Sequence, residues 1–490
     1  MSAVLISNGS RRPPPLRARV LATSLAVLAT GCTTLGPDYR SPHIDVPSQW
    51  HEAQQGHDGR GAFSAAQQDQ LRTWWRSFND PILDRLVDAA LAGNQDLAIA
   101  RTRLTQARAE RIQIAAGLGP TVSVGGVGQA LRSSERLDWP PGIGGSRTWR
   151  AGFDASWELD IFGGTRRAVE AADAQIDAVA DDAHAVQVSL LAELAADYAM
   201  LRTVQARLAI AQENIRNLSQ GEQLAERALA HGLGTSADVA QARAERETAQ
   251  ALPPQLDAEV ARLSHAIGVL TGGFSGDWRE VLAQPSPRLP VAPSLPLSMP
   301  SEVMRQRPDV RAAERRLAAA TARIGVAEAA RFPHFSIPLS LGTTASLLSD
   351  LFSGASLAWS VALQASQTLY DGGRSRAGVT AAQAQADAAR LAYARDVRLA
   401  LRDVEDALTG LNSERARQIS LAAAVSDSQQ ALDRATRLYR RGLSGYLPVL
   451  TAQRTANHAR DALALSQGGE VRSAIALYKS LGAGWGEAVN

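Results

Sequence analysis

The segment Leu159–Ala168 reads LDIFGGTRRA, and a segment of the same layout, TLYDGGRSRA, follows at Thr368–Ala377. In each segment an apolar, strand-like run ends at a pair of glycines, and a basic, helix-like run begins after it. A glycine-rich turn before a helix can cradle a phosphate, but neither segment has the Lys-Ser/Thr or the third glycine of the known phosphate loops. The pairs Gly163-Gly164 and Gly372-Gly373 therefore predict a strand-to-helix junction that needs backbone angles and close approaches which side chains forbid.

The two junctions belong to a duplication that covers most of the chain. Landmarks recur in the same order at an offset of about 210 residues, as expected for tandem copies of one structural unit. The sequence therefore predicts a first repeat over 81–280 and a second over 301–490. The proline-rich segment between them, 281–300, is predicted to be an extended linker. The matched landmarks are Asp96 and Asp309, Pro120 and Pro333, the two glycine pairs, Gly232 and Gly442, and Leu270 and Leu481.

Each repeat contains two runs in which apolar and polar residues alternate, as they do in a β-strand. In one run Trp149, Ala151 and Phe153 alternate with Arg150 and Asp154. A soluble, half-buried sheet has the same alternation. Runs of about ten residues with one apolar face, an often charged opposite face and aromatic residues near the ends favour tilted membrane strands. The four predicted strands are ~121–131, ~148–160, ~332–343 and ~356–368.

Four strands are too few to form a membrane barrel alone. Closing a barrel takes about eight strands, and lipid does not tolerate an open sheet edge. The membrane interpretation therefore requires an oligomer, and the strand pattern is compatible with two, three or four copies.

The longest helical patterns follow the two junctions, at ~165–231 and ~375–441, and no proline interrupts either. At 1.5 Å per residue each would be roughly 100 Å long. Each is predicted to turn at a glycine, Gly232 or Gly442, and to be followed by a second helix, ~236–270 or ~446–480. Pro253-Pro254 should break the first of these return helices. A cytosolic coiled-coil rod would share this pattern, but the strands and the N-terminus argue against it.

The N-terminus has the features of an export signal. An arginine-rich stretch precedes the apolar run Val20–Ala29, which is too short to span a bilayer, and small residues follow. The only cysteine, Cys32, comes next, as in a bacterial lipobox, although Ala29 stands where leucine is commoner. The sequence predicts a lipoprotein signal peptide over 1–31 and a lipidated, extended segment over 32–80. The alternative is an ordinary signal peptide that happens to contain a cysteine.

Composition and motifs exclude several classes of protein. The formal charge of +2 gives no electrostatic reason to expect nucleic-acid binding. A single cysteine permits no intramolecular disulfide, and the eight histidines show no metal-ligand spacing. The chain has neither a Walker-type phosphate loop nor a Gly-x-Ser-x-Gly elbow. The sequence therefore predicts no enzyme activity, no cofactor and no metal site.

Four segments resemble the TolC-like outer-membrane efflux family, in particular its lipidated OprM/NodT branch. GCTTLGPDYRSP resembles the lipobox region of that branch, and SWELDIFGGTRRA its strand-to-helix junction. RLYRRGLSGYLPVLTAQ and LYKSLGAGW resemble its C-terminal turn and terminal segment. The resemblance implies a mainly α fold with membrane β-structure: a homotrimer in which four strands per chain form a 12-stranded outer-membrane β-barrel, continued by a periplasmic α-helical barrel.

The resemblance also implies a function. Proteins of this family are passive exit ducts that work with a periplasmic adaptor and an inner-membrane pump. This chain would be lipid-anchored in the bacterial outer membrane, would extend into the periplasm, and would export drugs or toxic compounds that the pump selects. Type I protein secretion and metal efflux are alternatives within the family. An exported structural coiled-coil lipoprotein is the alternative from another class.

By the same resemblance, the two helix turns are the periplasmic tips that the adaptor contacts. The docking candidates are Leu233, Gly234 and Thr235 in the first turn and Leu443, Ser444 and Gly445 in the second. Tyr439 and Asp238 match the residues with which the family closes its periplasmic gate, through a charge-assisted hydrogen bond. Positions at which the family often has aspartates are Pro448 and Thr451 here, so an acidic constriction is not predicted.

Overall fold

A computed structural model describes residues 34–52, 65–132, 134, 136, 145–284 and 300–486. The predicted signal peptide, Cys32 and most of the predicted linker lie outside the described residues. The chain divides into two compact units. The first comprises Met1–Pro42, Gln106–Asp177 and Arg315–Leu391, and the second comprises His43–Thr105, Ala178–Glu314 and Ala392–Asn490.

The first unit contains one antiparallel sheet in the order β1-β2-β3-β4, with a short β5 that also pairs with β3. Strand β2 pairs with β3, so the strand pairs of the two repeats join in one sheet. The strands are β1 Thr121–Arg132, β2 Gly145–Leu159, β3 His334–Ala345, β4 Leu357–Val361 and β5 Gln364–Ser366.

The register of the sheet sorts its side chains onto two chemically different faces. One cross-strand row through β1 to β4 is apolar, and each of its side chains is more than half exposed: Val124, Phe153, Leu341 and Trp359. The adjacent row lies on the opposite face, because neighbouring residues of a strand point to opposite sides. That row is polar: Ser123, Asp154, Ser340 and Ser360. The alternation seen in each strand is thus aligned across the whole sheet.

The last predicted strand, ~356–368, differs from the structure, which has two short strands in its place, β4 and β5. The break falls at Ala362, which the register places opposite Pro338 of β3. The Ala362 amide donates to the Pro338 carbonyl at 3.1 Å. Proline has no N–H to return that hydrogen bond, so the ladder is interrupted at this pair.

Helices form most of the rest of the chain, and none that the structure describes is both long and apolar enough to cross a membrane. The two longest, α4 and α10, have 67 residues each. The return helix of the first repeat is split at Ala251, as Pro253-Pro254 predicts, whereas that of the second is continuous. The helices are α1 Ala65–Arg72, α2 Pro81–Gly93, α3 Gln95–Ala116, α4 Gly164–Ala230, α5 Ser236–Gln250, α6 Leu252–Leu270, α7 Arg279–Ala283, α8 Pro300–Gln306, α9 Pro308–Ala329, α10 Arg374–Arg440 and α11 Leu447–Ser480.

The second unit has a hydrophobic core in which both repeats take part. Leu191, Leu194 and Leu201 of α4 pack with Ile267 of α6 and Tyr478 of α11, and all five side chains are almost fully buried. Burying one such aliphatic side chain stabilises the folded state by about 1.5–3 kcal/mol. This core holds the middle of α4 against the C-terminal parts of α6 and α11.

The repeats use corresponding positions to join their helix ends. In the first, Asn94 Nδ2 donates to the Leu270 carbonyl at 3.0 Å, at the end of α6. In the second, Arg307 Nη1 donates to the Ser480 carbonyl at 3.1 Å, at the end of α11. Asn94 and Arg307 are the first residues of the two matching sequence segments. The duplication therefore recurs as a shared packing arrangement with different side chains.

Candidate functional site

The first helix turn joins α4 to α5 and is closed by backbone hydrogen bonds. Gly232 has φ +71°, and the Leu233 amide donates to the Ala228 carbonyl at 2.8 Å, which is the Schellman arrangement. Thr235 and Asp238 then form a capping box that starts α5, with the Asp238 amide 3.1 Å from Thr235 Oγ1. These bonds leave the Leu233 side chain at the apex, 74% exposed.

The second turn joins α10 to α11 and repeats this geometry. Gly442 has φ +71°, and the Leu443 amide donates to the Leu438 carbonyl at 3.0 Å. Leu443 is 69% exposed and stands at the position of Leu233. The other predicted contact residues follow the same pattern: Gly234 and Ser444 are half-buried, and Thr235 and Gly445 are exposed. The structure thus places all six docking candidates on two equivalent turns.

The hydrogen bond predicted between Tyr439 and Asp238 is not formed in this chain. Asp238 Oδ2 instead accepts from the Thr235 amide at 3.0 Å and from Thr235 Oγ1 at 2.8 Å. The Tyr439 ring is buried against the ring of Tyr446, 5.2 Å away, and its hydroxyl has no hydrogen-bond partner among the described residues. Burial and the charge of Asp238 both raise the pKa of Tyr439.

Three residues that organise the helices behind the tips were not predicted from the sequence: Tyr446, Gly221 and Glu222. Tyr446 is fully buried in the turn region, and burial raises its pKa to about 12. Its hydroxyl lies against Gly221, where any side chain would collide with it. Glu222 is buried beside it in α4 and pairs with Arg243 at 3.1 Å and Arg246 at 3.2 Å. Gly221 and Glu222 look like ordinary helix residues in the sequence, which contains no signal for this packing.

Polar contacts join the helix hairpin of the first repeat to that of the second. Arg207 of α4 pairs with Asp461 of α11 at 2.7 Å, and Arg460 pairs with Glu213 at 3.0 Å. Arg207 and Asp461 line a cavity, and the Arg460 and Glu213 side chains are 33% and 48% exposed. Ion pairs at such partly exposed places are modest in strength. Further contacts link Gln453 to Asn214 and Arg454 to Glu245. We call this set the inter-hairpin contacts.

At the strand-helix junctions, the glycines adopt backbone angles that side chains disfavour. Gly163 has φ +76°, whereas Gly372 and Gly373 have φ +65° and +91°. Gly164 is not among the glycines with positive φ, but a Cβ added to it would lie 3.2 Å from the Ala329 Cβ. Both predicted reasons for the glycine pairs are therefore present. Gly163, Gly372 and Gly373 adopt a positive φ that other residues disfavour, and Gly164 packs closely against Ala329.

Aspartates before the long helices were not singled out in the sequence. Asp160 accepts from the amides of Thr165 and Arg166 at 3.0 and 2.9 Å. Asp371 accepts from the amides of Gly373 and Ser375, both at 2.8 Å. The hydrogen bonds from Ser375 and Gly373 lower the pKa of Asp371 to about 2. An acidic residue just before a helical run is the available sequence signal for such a cap.

Comparisons with known proteins agree with this architecture. Residues 86–273 and 299–483 match the model of a family described as outer membrane efflux protein. The solvent efflux pump outer membrane protein SrpC of Pseudomonas putida is 32% identical over 95% of this chain and 98% of its own. The cation efflux system protein CusC of Escherichia coli O6:H1 is 30% identical over 95% and 99%. The solved structure of the outer-membrane channel OprN has a TM-score of 0.84 and 38% identity over 92% of this chain and 100% of its own.

Proposed function

Because the chain belongs to the outer membrane efflux protein family, we propose that it is the passive exit duct of a tripartite efflux system. Three lipid-anchored copies would form the duct, and a periplasmic adaptor and an inner-membrane pump would deliver its cargo. SrpC is named for solvent efflux and CusC for cation efflux, and each matches 95% of this chain. We propose cargo of this class, chosen by the pump.

The two-faced sheet is the observation that supports the duct most directly. Its apolar row suits lipid, and its polar row suits a water-filled lumen. The outer edges of β1 and β4 have no partner strand within the described residues. Lipid cannot satisfy the backbone of an open edge, so each edge must pair with another copy. With β4 and β5 counted as one, three copies of four strands would make the 12-stranded barrel.

The exposed turns support docking of the adaptor. Leu233 and Leu443 occupy equivalent apices, and the backbone hydrogen bonds that shape both turns do not use their side chains. We propose that the adaptor contacts these leucines together with Gly234, Thr235, Ser444 and Gly445. Docking there would favour an open tip in which the inter-hairpin contacts are exchanged, since a ligand shifts a conformational equilibrium toward the state that it binds better.

The function is tested by restoring efflux in a strain that lacks its own exit duct. The chain, its adaptor and its pump are expressed together, and the accumulation of a fluorescent efflux substrate is measured. We expect accumulation to fall only when all three are present, and detergent extracts of the outer membrane to contain a heat-modifiable trimer. A monomeric, rod-like protein that forms no heat-modifiable trimer and leaves accumulation unchanged would instead support the structural coiled-coil lipoprotein.

The gate prediction rests on the unpaired hydroxyl of Tyr439. A buried hydroxyl without a partner costs about 1–3 kcal/mol, so we propose that it pairs with Asp238 when three copies assemble with closed tips. Tyr439→Phe should then raise the leak conductance of the purified trimer in planar lipid bilayers. Tyr370→Phe, which removes an exposed hydroxyl near the second junction, is the control. Equal conductance in wild type and Tyr439→Phe would remove Tyr439 from the gate.

The lipid anchor is tested at Cys32. Cys32→Ser should abolish acylation, because only a thiol at this position can accept the diacylglyceryl group of a lipoprotein, and the chain has no other cysteine. The measurement is incorporation of radioactive palmitate into the immunoprecipitated protein. Thr33→Ser, which leaves the thiol in place, should be labelled like the wild type. A labelled Cys32→Ser protein would show that the lipobox assignment is wrong.

A further inference from the structure

The segment that follows Cys32 is held against the first strand-helix junction. The Leu35 amide donates to the Phe162 carbonyl at 3.4 Å. Gly36 has φ +87°, and its Cα lies so close to Gly325 of α9 that a Cβ on Gly36 would come within 2.5 Å of the Gly325 Cα. We call residues 34–38 the N-terminal segment. Its backbone therefore touches two elements that are distant from it in sequence.

Arg167, near the start of α4, is the centre of this contact. Its Nε donates to the Leu35 carbonyl at 2.9 Å, and Nη2 donates to the Gly36 carbonyl at 3.2 Å and to Asp38 Oδ1 at 2.7 Å. Its Nη1 binds Glu170 Oε2 at 2.8 Å. The side chain is only 4% exposed, so a charge that would be costly to bury alone is balanced by two carboxylates. A planar guanidinium can serve all four acceptors at once, which an ammonium cannot do.

Glycines make room for the N-terminal segment on both sides. A Cβ on Gly163 would lie 2.8 Å from Thr34 Cγ2, and a Cβ on Gly325 would lie 2.5 Å from the Leu35 carbonyl oxygen. Real Cβ atoms do not approach other atoms so closely, so both positions must lack a side chain while the segment is in place. Gly163 is thus more than a hinge, because it also forms one wall of an occupied groove.

The second repeat has the same junction but no such groove. A Cβ on Gly372 or Gly373 would meet nothing within 4 Å. Arg376, the counterpart of Arg167, is exposed, and its guanidinium makes no hydrogen bond or ion pair within the part of the chain that the structure describes. The counterpart of Gly325 is Ile112, whose side chain is also exposed. The groove is therefore specific to the first junction and is not a general requirement of the repeat.

We propose that Gly163, Arg167 and Gly325 form a docking groove for the chain's own N-terminal segment, and that Arg167 is the positioning residue that fixes the lipid anchor beside the sheet. The anchoring part rests on the proposed acylation of Cys32. Cys32 lies two residues before Thr34, so covalent geometry keeps the Cα atoms of these two residues within about 7 Å of each other. A docked N-terminal segment thereby holds the acyl chains next to the end of β2 and the start of β3. If the segment were not docked, the acyl chains could move away from the sheet by up to the length of the free segment.

Docking is tested by hydrogen-deuterium exchange of the peptide that contains Leu35–Asp38, in the full-length protein extracted in detergent. Arg167→Gln removes the positive charge and most of the N–H donors of the guanidinium. Gly325→Ala places a methyl group where the Leu35 carbonyl lies. Each should speed exchange of this peptide by about tenfold, as expected for the loss of hydrogen bonds of ordinary net strength. Arg376→Gln and Gly378→Ala are the matched controls, since Gly378 is also helical and has no neighbour within 4 Å of an added Cβ.

Gly325→Ala keeps the test decisive if Arg167→Gln does not fold, because alanine is a better helix former than glycine. Faster exchange in either variant with unchanged controls supports the groove. Exchange equal to wild type in both folded variants, or an equal rise in the controls, overturns it. Palmitate labelling is measured on the same proteins, so a failure of acylation is recognised separately: it would leave the exchange result standing and remove only the anchoring role.

Discussion

Gly152→Val is expected to abolish the membrane sheet and, with it, the assembled trimer. Gly152 of β2 pairs with Gly342 of β3, and a Cβ on Gly152 would come within 2.6 Å of the Gly342 Cα and 2.7 Å of the Leu341 carbonyl oxygen. Both close atoms belong to the backbone, so no side-chain rotation can relieve the collision. The β2–β3 pairing joins the strand pairs of the two repeats, and separating these strands would leave two open edges inside lipid.

The measurement is the heat-modifiable trimer band from outer membranes extracted in detergent, together with the amount of the protein in the membrane fraction. Gly125→Val is the matched control. Gly125 is the β1 residue paired with Gly152 on its other side, and a Cβ there meets nothing within 4 Å. Valine also favours a strand over glycine, so this control should assemble normally. A normal trimer from Gly152→Val would mean that the β2–β3 pairing of this structure is not the one in the membrane.

Leu233→Asp combined with Leu443→Asp is expected to reduce efflux to that of cells without the chain, while the trimer still assembles. Both side chains lie at turn apices and take no part in the hydrogen bonds that form the turns, so the substitutions should not unfold them. If the adaptor covers these leucines, two buried and unpaired carboxylates in each copy would strongly disfavour the complex. In the proposed trimer the substitutions would place six carboxylates at the tips, so the loss of adaptor binding would be larger than for a single copy.

Accumulation of a fluorescent efflux substrate and co-purification of the adaptor are measured side by side for this double variant. Ile419→Asp is the control, because Ile419 is a 76% exposed apolar residue of α10 outside both turns. We expect it to retain adaptor and efflux. Wild-type efflux from the double variant would show that the adaptor binds elsewhere on the helices.

Much of the fold follows from local features of the sequence. The glycine pairs, the landmarks at matching offsets and the alternation in the strands predicted a mainly helical duplicated chain with a small sheet, and the match to solved channel structures confirms this fold class. The family resemblance is confirmed as well. Where local reasoning was incomplete, a partner strand was responsible: the break between β4 and β5 depends on Pro338, which lies in a different strand.

In the candidate site, too, the local features could be predicted from the sequence and the contacts between distant residues could not. The turns at Gly232 and Gly442 could be predicted from the sequence, because a helix that ends in a left-handed residue usually has glycine at that position. The partners of Tyr439 and Asp238 could not be predicted in this way. Asp238 bonds to a residue three positions away, and the Tyr439 ring packs against Tyr446. A resemblance between motifs shows which residues correspond to one another. It does not show their hydrogen-bond partners, because these depend on how each side chain is packed.

The sequence by itself determined the duplication, the type of each element and the places where helices turn, because these depend on residues within a few positions of one another. Only the tertiary structure decided which distant residues meet. Arg167 binds Asp38 across 129 positions, and Arg207 binds Asp461 across 254. Arg167 and Arg376 occupy equivalent places in near-identical motifs, yet only Arg167 is buried with partners. The physical reason is that desolvation and charge pairing are set by what packs against a side chain, and one junction has the N-terminal segment against it while its counterpart does not.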